Sequence, residues 1–286
     1  MKMAVIGCGL IGGSMALSWK RAGIVDEVIA FGHNPATLQK ALDKGAADTV
    51  TTSMEEAVKD ADIVVSAVPV EAMESVFTEM APFLKSDAVV TDVGSTRQTV
   101  IAAARKGLGD KFHQYAPAHP IAGGEMPGVD YASADLFDEK VVISTPDEGM
   151  DPKVVTFIEE AWRKAGARVQ AMSPLQHALS FASVSHLPHV LAYALVDMIA
   201  REENAQEKLK MAGAGFRDFT RIASSSPVMW RDICLSNREA LSHELERYRA
   251  SLDTLQKYID ESDGKALESF FENAVRNRRG LVFPGK

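Results

Sequence analysis

Gly7-Cys8-Gly9-Leu10-Ile11-Gly12 follows the apolar run Met3-Ala4-Val5-Ile6 and leads into Gly13-Ser14-Met15-Ala16-Leu17. The order is buried strand, glycine turn, helix, which is the setting a dinucleotide-binding turn requires. Each glycine has its own task there. Gly7 permits the tight turn, Gly9 lets the backbone come close to a pyrophosphate, and Gly12 lets the helix lie close against the strand. The N–H groups at Leu10 and Ile11 open the helix and lack partners within it. Together with the helix dipole they form a site for phosphate oxygens.

Outward from that turn, short apolar runs alternate with helical patterns. Residues 3–6, 27–31, 62–67, 88–91, 114–117, 141–145 and 168–171 read as strands. Residues 35–44, 71–84, 96–106 and 152–165 read as amphipathic helices between them. Continuous rather than alternating apolar strands suit a sheet covered on both faces. The fold class is therefore α/β, with a doubly wound, mostly parallel sheet of the Rossmann type over residues 1–172. From 173 to 286 the pattern is helical only, with long periodic stretches at 174–201, 227–260 and 265–278. These helices are too few and too apolar to close a core by themselves. An all-α dimerisation domain that forms a homodimer is expected.

The composition narrows the function classes. A chain of 286 residues with 46% apolar and 24% charged residues is that of an ordinary globular protein of about two domains. The formal charge of −8 argues against a nucleic-acid partner and means that an anionic substrate must be met by locally placed arginines. Two cysteines, Cys8 and Cys234, cannot build a disulfide framework, which points to a cytoplasmic setting. The most apolar helix carries His177, His186, Pro188, His189 and Asp197, too many polar groups for a membrane span.

NAD-binding chains usually carry an acidic residue about twenty positions past the glycine turn, where it holds the adenosine ribose. Here that position falls at Gly32-His33-Asn34, after the 27–31 strand, with no carboxylate. The main obstacle to a ribose phosphate is missing, and His33 and Asn34 offer hydrogen-bond donors. NADP is expected to be accepted and preferred, with NAD as the other cofactor.

Several clusters lie after strand carboxyl ends or in the helical half, where a parallel sheet presents ligands. They are Ala67-Val68-Pro69, Asp92-Val93-Gly94-Ser95, the run 118–124 containing His119 and Pro120, Ser185-His186-Leu187-Pro188-His189, and the run 213–221 containing Arg217 and Arg221. Arg217 and Arg221 are four apart and share a face if helical, as do Ser185 and His189. His119 alone reads equally as a polar loop residue. Ser95 reads as a helix N-cap, the arginines as a solvated ion-pair face, and Trp230 as a core aromatic. No HExxH pattern or cysteine cluster accompanies the histidines, so no metal site is expected.

Taken together, the segments GCGLIGGS (7–14), DVGST (92–96), HPIAGGE (119–125), SHLPH (185–189), GAGFRDFTRIA (213–223) and Pro227-Val228-Met229-Trp230 resemble the prephenate and arogenate dehydrogenases of tyrosine biosynthesis, in order and spacing, over nearly the full length. The resemblance implies oxidation of the ring carbon that bears a hydroxyl, hydride transfer to a nicotinamide, and loss of the ring carboxylate as carbon dioxide. It implies that His119 and Ser95 are catalytic. It also implies that Arg221, Arg217, His189, Ser185 and Trp230 bind the substrate. Gly7, Gly9, Leu10, Ile11, Gly12, Gly32, His33, Asn34, Val68, Pro69, Ser95 and Pro120 are the expected cofactor contacts.

The acidic pair Asp138-Glu139 lies where some arogenate-using relatives carry an acid, and is expected to favour arogenate through its ammonium group. The chain ends soon after the last helix, leaving no room for a regulatory domain, so tyrosine inhibition is expected to be competitive or absent. A β-hydroxyacid-type reductase needs a lysine on the interdomain helix, and Pro174–Ala200 contains none. A cofactor-sensing binding protein needs no such set of cations.

Overall fold

The computed structural model describes residues 1–124 and 126–281; Glu125, the last residue of the HPIAGGE segment, falls outside them. In chain order, the first part contains β1 (Lys2–Ile6), α1 (Leu10–Arg21), β2 (Glu27–Phe31), α2 (Pro35–Asp43), β3 (Thr49–Thr51), α3 (Met54–Val58), β4 (Ile63–Ser66) and α4 (Met73–Met80). It continues through β5 (Val89–Asp92), α5 (Arg97–Leu108), β6 (Tyr115–Ala116), β7 (Ala118–Pro120), β8 (Val141–Ser144), α6 (Pro152–Lys164) and β9 (Arg168–Ala171). Among the described residues one sheet has six strands in the order β3-β2-β1-β4-β5-β6, all parallel. The strand order reverses between β1 and β4, and ligands bind beyond the carboxyl ends at such a point.

Both faces of that sheet are covered, for a reason visible in β1. Met3 and Val5 point into a core with Met15 and Trp19 of α1 and Ile158 and Trp162 of α6. Ala4 and Ile6 point into a second core with Phe77 and Met80 of α4 and Val100 and Ala104 of α5. Trp162 meets Trp19 and Phe137 edge to face at centroid distances of 5.6 and 5.0 Å.

The structure departs from the sequence reading in three places. Residues 49–51 form an extra edge strand, β3, too short and too polar to show in the pattern. Residues 141–144 and 168–171 do not extend the parallel sheet. They form a second sheet, β7-β8-β9, with β7 antiparallel to β8. His119, expected in a loop, lies inside β7 opposite Ile143. A single residue, Pro117, separates β6 from β7 and carries the chain from one sheet to the other.

The second part is helical: α7 (Pro174–Phe181), α8 (Leu187–Ala200), α9 (Ala205–Lys210), α10 (Ala214–Thr220), α11 (Pro227–Ser236), α12 (Arg238–Asp260) and α13 (Gly264–Arg279). The helix read over 174–201 contains a π turn at Ala182–His186. Pro188 has no N–H to offer the Val184 carbonyl, which explains why regular i→i+4 bonding fails there. Pro174–Ala200 has the length and hydropathy of a membrane-crossing helix, yet little of it is buried within the chain. α12 buries only Leu241 and α13 buries no residue, while Leu252, Ile259, Phe271 and Val275 stand exposed.

One ion pair joins the carboxyl end of β5 to the first residues of β6 and β7. The Asp92 carboxylate and Arg97 guanidinium are both buried and meet through two nitrogens at 2.8 and 2.9 Å. Asp92 also accepts from Tyr115 Oη at 2.5 Å and from the Gly94 N–H at 2.7 Å. Arg97 donates to the carbonyls of Gly94 at 2.6 Å and Ala118 at 3.1 Å. Burial opposes the guanidinium charge, but the Asp92 carboxylate outweighs that cost and holds its pKa above the ordinary value.

Two stability outcomes follow from this packing. A Cβ on Gly12 lies 2.6 Å from the Gly7 carbonyl oxygen and 2.9 Å from Ala67 Cβ, whereas one on Gly9 meets nothing within 4 Å. Gly12→Ala should lower stability by about 1–3 kcal/mol through overpacking, and Gly9→Ala should change it by less than about 1 kcal/mol, both read from urea midpoints. Arg97→Leu strands the Asp92 charge and should cost about 3–5 kcal/mol by the same measurement.

Candidate active site

Parallel register brings the functional segments to one edge. Ile6 pairs with Ser66 and Ser66 with Asp92, so the Gly7 turn, Val68-Pro69 and the Asp92–Ser95 loop leave adjacent strands side by side. Arg97 then ties β7, and with it His119, to the end of β5.

The glycine turn has the form that a dinucleotide needs. Gly7 takes a φ of +92°, and a Cβ there meets the Ala67 carbonyl oxygen at 2.8 Å and Val68 Cγ1 at 3.0 Å. Helix α1 starts at Leu10 with no side-chain cap and no acidic residue in its first turn. Its first N–H groups, at Leu10 and Ile11, are left to an anion. Nothing in the protein demands glycine at position 9; the open space beside it is what a pyrophosphate needs. Pro120 is buried in β7 beside His119.

At the end of β2, Gly32-His33-Asn34 presents no carboxylate. His33 is exposed and its ring packs edge-on against Phe31 at 5.2 Å. Asn34 caps α2, its Oδ1 accepting from the N–H of Ala36 at 2.9 Å and of Thr37 at 3.4 Å. The sequence does not distinguish this capping role from cofactor contact.

His119 is 9% exposed, and its Nδ1 lies 2.8 Å from His177 Nε2. Burial pushes its pKa well below the ordinary histidine value, and the neighbouring His177 and the Arg97 and His186 charges push the same way. His177 follows the same logic: burial, then Arg97 and His186, bring it down to about 3. His186, with Nδ1 3.1 Å from the Asn237 amide nitrogen, falls to about 4, chiefly by burial. The three imidazoles are neutral at neutral pH.

Ser95 is half-buried just before α5, but it is not the N-cap expected from the sequence. Thr96 holds that position, and its hydroxyl makes no capping bond. The mismatch arises because the helix begins one residue later, where Arg97 turns inward to Asp92.

On the helical side, His189 directs Nδ1 at the Ser185 carbonyl at 2.9 Å and stacks on Trp230, with ring centroids 3.8 Å apart. Trp230 is nearly buried, and its indole N–H has no partner. The His189 pKa is lowered, first by burial and then by the nearby Arg221 charge; the Ser185 hydrogen bond opposes both. Arg217 lies in the middle of α10, which ends at Thr220, and Arg221 opens the tight turn Arg221–Ser224, so the two do not share one regular helix. Tyr193 Oη donates to the Ser225 carbonyl at 2.6 Å and fastens that turn to α8.

The acidic pair does not belong to this site. Asp138 is paired with Arg21, the last residue of α1, which also holds Asp135. Twelve helical residues put Arg21 about 18 Å from the glycine turn. Glu139 is largely exposed beside Arg168. The acids that precede β8 are held by Arg21 and lie beside Arg168. Arg97, Tyr115 and His177 were not legible as site residues. An aspartate at the end of a strand five residues before an arginine that opens a helix is the signal that could have pointed to the ion pair.

Known proteins agree with this architecture. Residues 15–171 match the model of the prephenate dehydrogenase nucleotide-binding domain, and residues 173–273 match the prephenate dehydrogenase dimerization domain. The chain is 36% identical to a cyclohexadienyl dehydrogenase of Zymomonas mobilis, over 98% of its own length and 95% of that protein. It is 34% identical to a prephenate dehydrogenase of Bacillus subtilis, over 96% of this chain and 74% of the relative. A crystal structure of Aquifex aeolicus prephenate dehydrogenase, in complex with hydroxyphenyl propionate and NAD+, superposes with a TM-score of 0.90 at 34% identity, covering 98% of each chain. Synechocystis arogenate dehydrogenase superposes with a TM-score of 0.83 at 26% identity, covering 99% of this chain and all of that one. With two domain models in the right order and these relatives over nearly its whole length, the chain belongs to the prephenate dehydrogenase family of nicotinamide-dependent oxidoreductases.

Proposed function

We propose that this chain oxidatively decarboxylates prephenate, arogenate or both, giving 4-hydroxyphenylpyruvate or tyrosine in tyrosine biosynthesis. The observation that carries the residue assignment is one neutral, buried imidazole, His119, fixed through Nδ1 at the sheet edge where the glycine turn and Ser95 also lie. Gly7, Gly9, Gly12, the Leu10 and Ile11 N–H groups, Val68, Pro69 and Pro120 hold the cofactor, with Gly32, His33 and Asn34 at its adenosine end. When bound, the nicotinamide takes up the hydride from the ring carbon.

The chain's own residues manage one proton and two anionic groups. His119 Nε2 accepts the ring-hydroxyl proton as the carbon–oxygen double bond forms, and the Ser95 hydroxyl hydrogen-bonds the same oxygen. The bond to the ring carboxylate breaks, carbon dioxide leaves, and its electron pair enters the ring, which becomes aromatic. His119 then returns the proton to the phenolate oxygen. Arg221 grips the ring carboxylate, for which a planar guanidinium is well shaped. His189 takes the side-chain carboxylate; a bound anion favours its protonated form, which can donate from both nitrogens. Arg217, Ser185 and Trp230 complete the pocket wall.

Residues 1–172 form the cofactor-binding part of this cytoplasmic enzyme, and residues 173–286 form the substrate and dimerisation part. A second copy covers the exposed apolar residues of α8, α12 and α13. NADP is accepted and preferred over NAD, because residues 32–34 carry no negative charge to repel a ribose phosphate.

His119→Asn should lower kcat by about 10²–10⁴-fold while cofactor affinity stays unchanged, measured with each substrate. Protonated His119 cannot accept a proton, so turnover should rise with pH through one ionisation clearly below about 6.5 and stay level through neutrality. An inflection at or above the free-histidine value counts against the assignment. Separate titrations should show tighter binding of NADP than of NAD, with both weakened in Gly9→Ala; tighter NAD binding overturns the preference.

A further inference from the structure

The reaction proposed above uses one ring nitrogen of His119 and leaves His177 without a task. His177 is fully buried in the first turns of α7, stacked on Phe181 with ring centroids 4.2 Å apart and planes 14° from parallel. His119 also packs on Phe181, at 5.0 Å. The start of α7 is pinned twice: Ser173 Oγ accepts from the Gln176 N–H, and the Met172 N–H donates to the Ser144 carbonyl of β8, the strand that pairs with β7. The 2.8 Å contact between His119 Nδ1 and His177 Nε2 is therefore held from both sides. His177 Nδ1 is buried with no hydrogen-bond partner.

Two neutral imidazoles joined by one hydrogen bond have two proton arrangements. In the first, His119 Nδ1–H donates to His177 Nε2, and His119 Nε2 keeps its lone pair. In the second, His177 Nε2–H donates to His119 Nδ1, and His119 Nε2 carries the hydrogen and can accept nothing. A free neutral imidazole favours hydrogen on Nε2, so His119 needs an outside acceptor at Nδ1 to hold the other tautomer. The arrangement that supplies it leaves the His177 Nδ1 hydrogen without a partner among the described residues, a cost that the His119–His177 bond and a substrate hydroxyl at His119 Nε2 must offset. Only the first arrangement survives the reaction without rearrangement. Once His119 has taken the substrate proton it has N–H on both nitrogens, and its Nδ1–H still faces an acceptor.

We propose that His177 is a positioning residue: its Nε2 accepts the His119 Nδ1 hydrogen and so fixes the tautomer whose Nε2 faces the substrate hydroxyl. The inference rests on the proton role given to His119 above. It ascribes to a neutral imidazole the orienting task that serine hydrolases give to an aspartate. A neutral partner fits this pocket, where the Arg97 charge is already balanced by Asp92.

The test reads the tautomer directly. Long-range proton–nitrogen correlation spectra of protein labelled with nitrogen-15 in its histidines, assigned with His119→Asn, should show His119 protonated on Nδ1 and bare on Nε2 at neutral pH. A wild-type His119 protonated on Nε2 overturns the proposal without any variant. His177→Phe keeps an aromatic ring against Phe181 but removes the acceptor. It should move His119 toward the Nε2–H form and lower kcat by about 10²-fold, with KM within about threefold. His177→Gln, which restores an acceptor oxygen, should recover most of that loss. An unchanged tautomer and an unchanged kcat in His177→Phe also overturn it. Failure of the underlying reading looks different: His119→Asn would then retain turnover, whatever tautomer the wild type shows.

Discussion

The buried pair of Asp92 and Arg97 holds the active end of this molecule together. One strand, β5, finishes at that point and two short ones begin there: β6 has two residues and β7 three. Asp92 receives hydrogen bonds from the Tyr115 hydroxyl and the Gly94 N–H, and Arg97 reaches the Ala118 carbonyl next to His119. A charge placed so deep is tolerated because both Asp92 carboxylate oxygens and both terminal Arg97 nitrogens are paired, although Arg97 Nε finds no partner among the described residues. The result is a rigid corner from which the Ser95 loop and His119 both project.

Burial sets the electrical state of the site, and the same guanidinium adds to it. It lies close enough to His119 and His177 to disfavour a second positive charge, in the same direction as burial. Both rings are therefore neutral when the enzyme is at rest, which a proton acceptor requires. Farther out, near the turn that fastens to α8, burial and the Arg221 charge both lower the His189 pKa. In a chain with a formal charge of −8, this division is a matter of position and not of composition. The deep guanidinium of Arg97 is paired with Asp92, and Arg221 lies at the surface.

Much of this was written locally. The glycine turn needs only its own backbone, one strand and one helix start, so Gly7, Gly9 and Gly12 could be interpreted residue by residue. The apolar strands were equally plain. Errors came where a distant partner overrode a local pattern. Residues 141–144 look like one more buried parallel strand, but the chain reverses at Pro117 and they pair with β7 instead. Asp138 looked available to a substrate because its partner, Arg21, lies 117 residues earlier. Pro188 stood inside the helix read over 174–201, and the structure shows that the turn it loosens is Ala182–His186.

By itself the sequence determined the class of fold, the site of the dinucleotide turn and the set of side chains able to do the chemistry, because these follow from periodicity, glycine stereochemistry and residue type over a few neighbouring positions. Only the tertiary structure decided which of those side chains meet. His119 and His177 are separated by 58 residues, and Asp92 meets Tyr115 across 23. Protonation and tautomer depend on such contacts and on burial, and both arise only when the second sheet folds against the helices and excludes water.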